Sequence, residues 1–456
     1  MKVQYNNAVD LEGKPLQFCI DDGVYTSCDE TAHVIDLAGA TVHPGIVDAH
    51  CHIIPMGLDM LKLHLGSCDS RADVLDKLRD WAKDRSGGWI HAVHYDQTKF
   101  SDSKHLSRQE IDSVVSDAPV VLRHSNGHAS VANTEALRLA GVNDDTSDPP
   151  GGTFVRDGSG QLTGVLLERA HERVTSSAPA PGFEDMVEAV LRAGEKMSDL
   201  GVTCASDMMT GRWNLELELR AYAEASRRGC RVRIRLYAQW GSLFGAKGIK
   251  PGLLTEMSSE MDPTRCKLAG AKIFADGAIG SATAAINGEF LTTGGSGQLI
   301  YEPDRLKRMV RTADEAGWQV AVHSIGDRST DHVLDAFSET MEPSRHRIEH
   351  AMILSDTQIE KIANLDCFVT MQPEFLARFG HAYQKQLGPE RASRLKRFRS
   401  VLDAGIKLSF SSDRPIVPGD PLDGIEAAVT RPEGFDQAEA LDRSTAHKLY
   451  SVESAK

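Results

Sequence analysis

The sequence predicts an α/β protein built on a parallel (β/α)8 barrel, and three observations carry that prediction. From about residue 200 onward, short apolar β-type runs alternate with amphipathic helical stretches, the pattern of parallel strands joined by crossover helices. Those runs, together with an earlier one at "GIVDAHCHI", number eight, the count that closes such a barrel. The chemically potent side chains fall where these runs end, on the face where parallel barrels carry their sites.

Taken in order, residues 1–43 mix short β-like pieces, "LQFCIDDGVYTS" and "AHVIDLAGATVH", with turn residues, and so form a small β portion ahead of a larger domain at 44–456. Pro44-Gly45 breaks the chain, and the apolar "IVDAH" that follows is the first barrel strand. About 150 residues separate it from the second, too many for one crossover. An inserted subdomain is therefore expected at about 55–195, with a helix at "RADVLDKLRDWAK", strands at "WIHAVHY" and "PVVLRH", and a Gly-rich hairpin region at "DPPGGTFVRDGSGQLTGVL". Strands two to eight are "GVTCASD", "RVRIRLYAQW", "LAGAKIFADG", "WQVAVHSIGD", "RHRIEHA", "CFVTMQP" and "IKLSFSSD". Segments such as "DRLKRMVRTADEAG", "STDHVLDAFSETM" and "DTQIEKIANLD" supply helices between them.

With 41% hydrophobic and 25% charged residues the composition is that of a soluble globular protein, and no apolar run approaches the length that crosses a bilayer. The start, "MKVQYNNAVDLEGKP", lacks the order of a signal peptide, so a cytoplasmic location is expected. A net charge of −14 disfavours nucleic acid and anionic membranes as partners and leaves a small-molecule substrate as the expected one. The eight cysteines are scattered without a C-x-x-C pair and read as reduced packing thiols. Because dimers are the commonest soluble assemblies, a homodimer is the expected oligomer.

Side chains alternate along a strand, so His50 and His52 point to one side and Cys51 to the other, which lets both imidazoles reach one ion. An isolated His-x-His is as often polar decoration, and a lone His323 or His350 is more often a core or surface histidine. Their joint placement at the ends of successive strands favours ligation. Imidazole nitrogen and carboxylate oxygen suit zinc or a similar divalent ion, and two imidazole pairs can serve two ions. Lys272, followed by Asp276, sits in the mostly apolar "AGAKIFADG", where desolvation favours the neutral amine over the usual surface ammonium. A neutral amine can add carbon dioxide and become a carbamate, whose two oxygens can bridge two cations. Asp413 follows "KLSFSS" and precedes Arg414-Pro415. On its own it would read as a turn or cap aspartate; in this company it can ligate an ion and carry a proton from water to a leaving group.

The stretches "HPGIVDAHCHI", "GGTFVRDGSGQLTGVLLERA", "AKIFADGAIGSATAA", "VAVHSIGDRS", "RIEHA" and "SSDRPIVPGDP" resemble the amidohydrolase superfamily, and within it the amidohydrolase family 3 branch of YtcJ-like proteins and N-substituted formamide deformylases. The resemblance runs from about residue 34 to 425. It implies a distorted barrel flanked by a small β-sandwich and hydrolysis of amide or N-acyl amine C–N bonds. It also implies a binuclear centre in which His50 and His52 bind one metal, carboxylated Lys272 bridges, His323 and His350 bind the second, and Asp413 is ligand and base. Zinc is the expected metal. His128 in "RHSNGHA" and Asp327 in "HSIGDRS" resemble positions that contact substrate or support the ligands. The chain ends in "TAHKLYSVESAK", without the family's usual closing "G-x-I-x-x-G-x-x-A-D", so the sandwich portion is expected to be short of strands.

Three other readings compete. A mononuclear deaminase acting on a nucleobase-like ring would pair the strand-five histidine with a nearby glutamate and need no bridging lysine, whereas Ser-Ile-Gly-Asp follows His323 and Lys272 is present. A phosphotriesterase or lactonase would use the same hydroxide chemistry. A non-catalytic scaffold would have lost ligands, and all six expected ligand types are present.

Overall fold

Eight parallel strands pair in one unbroken order in the computed structural model, which describes every residue except 31, 84–87, 126–128, 150 and 456. They are β1 (Ile46–Cys51), β2 (Val202–Thr210), β3 (Arg233–Gln239), β4 (Cys266–Phe274), β5 (Gln319–Ser324), β6 (Arg347–His350), β7 (Phe368–Met371) and β8 (Lys407–Phe410). Each overlaps one of the runs read from the sequence. Every neighbouring pair is parallel and in sequence order, the arrangement of a nearly closed TIM-type barrel. Where β8 meets β1, the chain just past the strand ends makes the junction. Asp413 N donates to His50 O and His52 N donates to Arg414 O, both at 2.8 Å. Asp48 reinforces it by accepting from Ser412 N at 2.9 Å while facing Arg414 Nε at 3.0 Å.

Ala271, Val322, Ile348 and Val369 are fully buried and, by strand alternation, face away from the side that carries Lys272, His323, Glu349 and Thr370, so they form an apolar layer behind the strands while Arg347, Glu349, Tyr237 and Thr370 meet across the barrel. All six residues of β1 are buried, so its histidine has left water behind before any ligand is considered. Amphipathic helices cover the barrel, among them Pro303–Glu315 and Asp327–Ser338, whose buried faces carry Leu306, Met309 and Val310, and Val333, Leu334 and Phe337.

Residues Val3–Val9, Pro15–Asp21, Val24–Thr26 and His33–Asp36 form one four-stranded sheet. The described residues of 1–43 contribute this one sheet. The two outer strands are exposed along their whole length, and burial is confined to Ala8 and Cys19. The expectation of eight reduced thiols fails at one pair: Cys19 and Cys28 are joined in a disulfide, and the other six cysteines are free. The hairpin register explains it, since Cys19 pairs with Thr26, two residues before Cys28, and spacing alone does not reveal that pairing.

By internal contacts the chain divides into two compact units, Met1–Ile53 with Gly194–Lys456, and Ile54–Ala193. The second contains a six-stranded mixed sheet in the order Gly152–Arg156, Leu162–Glu168, Ala129–Ala132, Val120–His124, Ile90–Tyr95 and Leu63–His64. Its core is built on Leu78, Ile111, Val120 and Leu122. No helix among the described residues is long and apolar enough to cross a membrane.

Candidate metal centre

The strand ends bring the predicted histidines into one continuous group of rings. His52 lies 5.4 Å from His50 between centroids, His50 lies 4.8 Å from His350, and His350 lies 4.5 Å from His323. Asp413 completes the group: its Oδ1 is 2.8 Å from His52 Nε2 and 3.3 Å from His50 Nε2. One ligand atom each from His50, His350 and Asp413 lies within 4.8 Å of the others, with all three residues buried. His350 and Asp413 adopt left-handed backbone conformations, with φ of 74° and 61°, uncommon for side chains of this kind and costing about 1–3 kcal/mol each. The barrel holds that strain where the ligand atoms converge.

Three atoms at this centre are buried without a hydrogen-bond partner: His52 Nδ1, Lys272 Nζ and Asp413 Oδ1. Unsatisfied polar atoms are costly in an interior. The Asp413 oxygen is approached closely by two ring nitrogens yet aligned for a hydrogen bond with neither, the way co-ligands of one cation stand. The donor set therefore fits divalent metal ions.

The outer nitrogens of His50, His323 and His350 are engaged, which orients the inner ones. His50 Nδ1 meets Glu349 Oε2 at 2.6 Å, and the fully buried Glu349 is itself gripped by Arg347, whose Nη2 also donates to Ala49 O and Thr370 Oγ1, each at 2.8 Å. His350 Nδ1 meets Gln372 Oε1 at 2.8 Å. Gln372 is fixed at both ends, because Oε1 also accepts from buried Lys396 Nζ and Nε2 donates to Ser411 Oγ, both at 2.9 Å. His323 Nε2 meets Gly277 O at 3.0 Å, leaving Nδ1 as the nitrogen for ligation.

Burial sets the protonation states. It brings the Lys272 ammonium down to about 8 against the raising influence of Glu349 and Asp413, so a neutral amine is within reach near neutral pH. Burial, helped by the Lys272 charge, lowers His323 to about 3, and burial holds His350 well below the usual range, so both keep a free lone pair. For Asp413 burial acts upward, but the imidazoles of His50 and His52 hold it well below the ordinary carboxylate range. Glu349, likewise pushed up by burial, is brought to about 2 chiefly by Arg347.

Two expectations do not meet at this centre. Asp327 is absent from the described lining of the pocket; its Oδ1 accepts from Asn287 N at 2.8 Å, at the start of the helix Asp327–Ser338. His128 lies outside the described residues. Asp276 supports the centre by position: its carboxylate accepts from Ile325 N at 3.0 Å, Gly326 N at 2.8 Å and Ala285 N at 3.0 Å, tying the loop after β5 to that after β4. Gly326 is required there, since a Cβ would stand 1.9 Å from Ala285 O. Sequence reading missed Arg347, Gln372 and Lys396. The signal available for them was a charged or amide residue on a barrel strand end or in an otherwise apolar neighbourhood.

An eight-stranded parallel barrel with imidazoles and a carboxylate converging at its strand ends is the architecture of a metal-dependent hydrolase. Comparison with known proteins specifies the family. The profile of the amidohydrolase family matches residues 33–456, and the chain belongs to that family. It is 29% identical over 440 residues to the YtcJ protein of Bacillus subtilis, covering 92% of this chain and 80% of that one. It is also 29% identical over 448 residues to an N-substituted formamide deformylase of Arthrobacter pascens, with 93% and 80% covered. An uncharacterized metal-dependent hydrolase from Pyrococcus furiosus superposes with a TM-score of 0.80 at 26% identity, over 100% of this chain and 94% of that one.

Proposed function

We propose that the protein hydrolyses the C–N bond of an amide or of an N-acyl or N-formyl amine with two divalent cations, zinc by the donor set. His50 and His52 would hold one and His323 and His350 the other, carboxylated Lys272 would supply an anionic ligand to both, and Asp413 would serve as both ligand and proton carrier. The observation that carries the reading is the convergence of His50, His350 and Asp413 within 4.8 Å beside the buried, unpartnered Lys272 amine. The name of the formamide-deformylase relative supports the choice of a C–N bond.

Divalent ions bound there would polarise the scissile carbonyl and lower the pKa of the attacking water. The chain's own residues do the rest. Lys272, neutral above about pH 8, can add carbon dioxide, its nitrogen losing a proton as the carbamate forms. His323 and His350 stay unprotonated and so remain donors. Asp413, ionised and pointed at both His50 and His52, accepts a proton from the attacking water and returns it to the departing nitrogen, which leaves as an amine. Apolar walls around the centre keep bulk water from competing with that transfer.

The test is amine release from a panel of N-formyl and N-acetyl amines by metal-loaded protein, by chelated protein and by chelated protein resupplied with zinc. Release that is lost on chelation and restored by zinc is the expected result. Deamination of nucleobases or hydrolysis of lactones with no amine released from any amide would contradict the proposal.

A further inference from the structure

The cavity over the candidate metal centre is about 380 Å³, within the range of small-molecule sites. One wall is a ladder of rings on the helix Glu374–Leu387, where Phe375, Phe379 and Tyr383 share a face at i, i+4 and i+8. Successive rings are 5.5 and 6.1 Å apart between centroids. The innermost, Phe375, lies nearly parallel to the His350 imidazole at 6.3 Å, so the ladder begins at a candidate ligand and runs outward from it. Phe274, Ile279, Ile325 and Met352 also line the cavity, and Ile416, 56% exposed, lies at its rim. Beyond the candidate ligands, the Tyr383 hydroxyl is the only polar side-chain group among the described lining residues; no lysine, arginine, glutamate, serine or amide side chain is present.

We infer that the group flanking the scissile bond of the substrate is uncharged, apolar and ring-bearing, and that the site discriminates against N-acyl amino acids, which carry a carboxylate. The inference deepens the amide-hydrolase reading and rests on it. Successive rings of the ladder stand edge-to-face and tilted, at 76° and 59°, and offer apolar faces and edges against which a flat ring buries area. A carboxylate in the same place would be stripped of water with no cationic side chain to receive it and one hydroxyl to bond. A cationic substituent would likewise lose its water with no anionic side chain beyond the candidate ligand Asp413 to receive it.

The test compares kcat/KM of the zinc-loaded protein on the N-formyl and N-acetyl derivatives of phenethylamine, of phenylalanine and of ethanolamine. The phenethylamine derivatives should exceed the phenylalanine ones, which add only a carboxylate, by about a hundredfold or more, and should exceed the ringless ethanolamine ones too. Phe379 is half-buried: Phe379→Arg should narrow or invert the first gap, while Phe379→Leu should keep it. Equal or faster turnover of the phenylalanine derivatives by wild type would overturn the inference, as would a gap unmoved by Phe379→Arg. Should no amide release amine, the amide-hydrolase reading fails and the pocket is read separately by fluorine NMR. There, broadening of 2-(4-fluorophenyl)ethanol beyond that of 3-(4-fluorophenyl)propionate, lost in Phe379→Arg, sustains the apolar assignment, and the opposite preference removes it.

Discussion

Replacing Lys272 with methionine keeps the length and apolar stem of the side chain and removes its charge, and the consequences for stability and for metal binding run in opposite directions. In the metal-free protein the ammonium is taken from its ordinary 10.5 down to about 8 by burial. At about 1.4 kcal/mol for each tenfold change in proton affinity, that penalty is about 3 kcal/mol. Below pH 8 the lysine is protonated in both the folded and the unfolded chain, so the whole penalty is present. Between pH 8 and 10.5 the unfolded chain still binds the proton while the folded one does not, so the penalty falls away as pH rises. Urea unfolding of chelated protein in carbon-dioxide-free buffer should therefore show Lys272→Met more stable than wild type by about 3 kcal/mol at pH 7, with the gap at least halved by pH 9.5. With zinc and bicarbonate present the order should reverse, because wild type alone gains the full binding energy of the centre. A variant no more stable than wild type at pH 7, or a gap that ignores pH, would refute the reasoning that burial of an unpaired amine dominates at this position.

Other perturbations separate the roles around the centre. Asp413→Asn should fold and retain metal in part but lose about 10²–10⁴-fold in kcat, measured by amine release, because an amide cannot carry the proton. Glu349→Gln should weaken zinc affinity by about 10–100-fold in calorimetry, since it loosens the grip on His50 Nδ1. Arg347→Met leaves the buried Glu349 carboxylate with His50 but without its guanidinium partner, and should cost about 3–5 kcal/mol in urea unfolding.

The barrel was legible because each strand is a short apolar run bounded by turn residues, and the period of strand and helix repeats seven times after residue 200. The first pair of candidate ligands was legible from strand alternation at His50 and His52, and the burial of Lys272 from a charge in an apolar strand. What could not be read depends on contacts between distant residues. Glu349 supports His50 across 299 positions, and the partners of Gln372, Lys396 and Ser411 emerge only when β6, β7 and β8 lie side by side. Cys19 and Cys28 carry no motif, and only the hairpin register pairs them. Asp327 is a candidate site residue from the family resemblance alone, and the structure shows its carboxylate holding a loop contact with Asn287 N. The aromatic ladder at 375, 379 and 383 was visible as i, i+4 spacing, yet spacing alone does not say that this helix face looks into a cavity.

The central claim is a two-metal centre bridged through Lys272, and the most direct test is elemental analysis of protein purified without chelator, wild type beside Lys272→Ala. The account predicts about two divalent ions per chain in wild type and a sharp fall in the variant. One ion per chain in both proteins would contradict the bridging role of Lys272 and the binuclear centre with it.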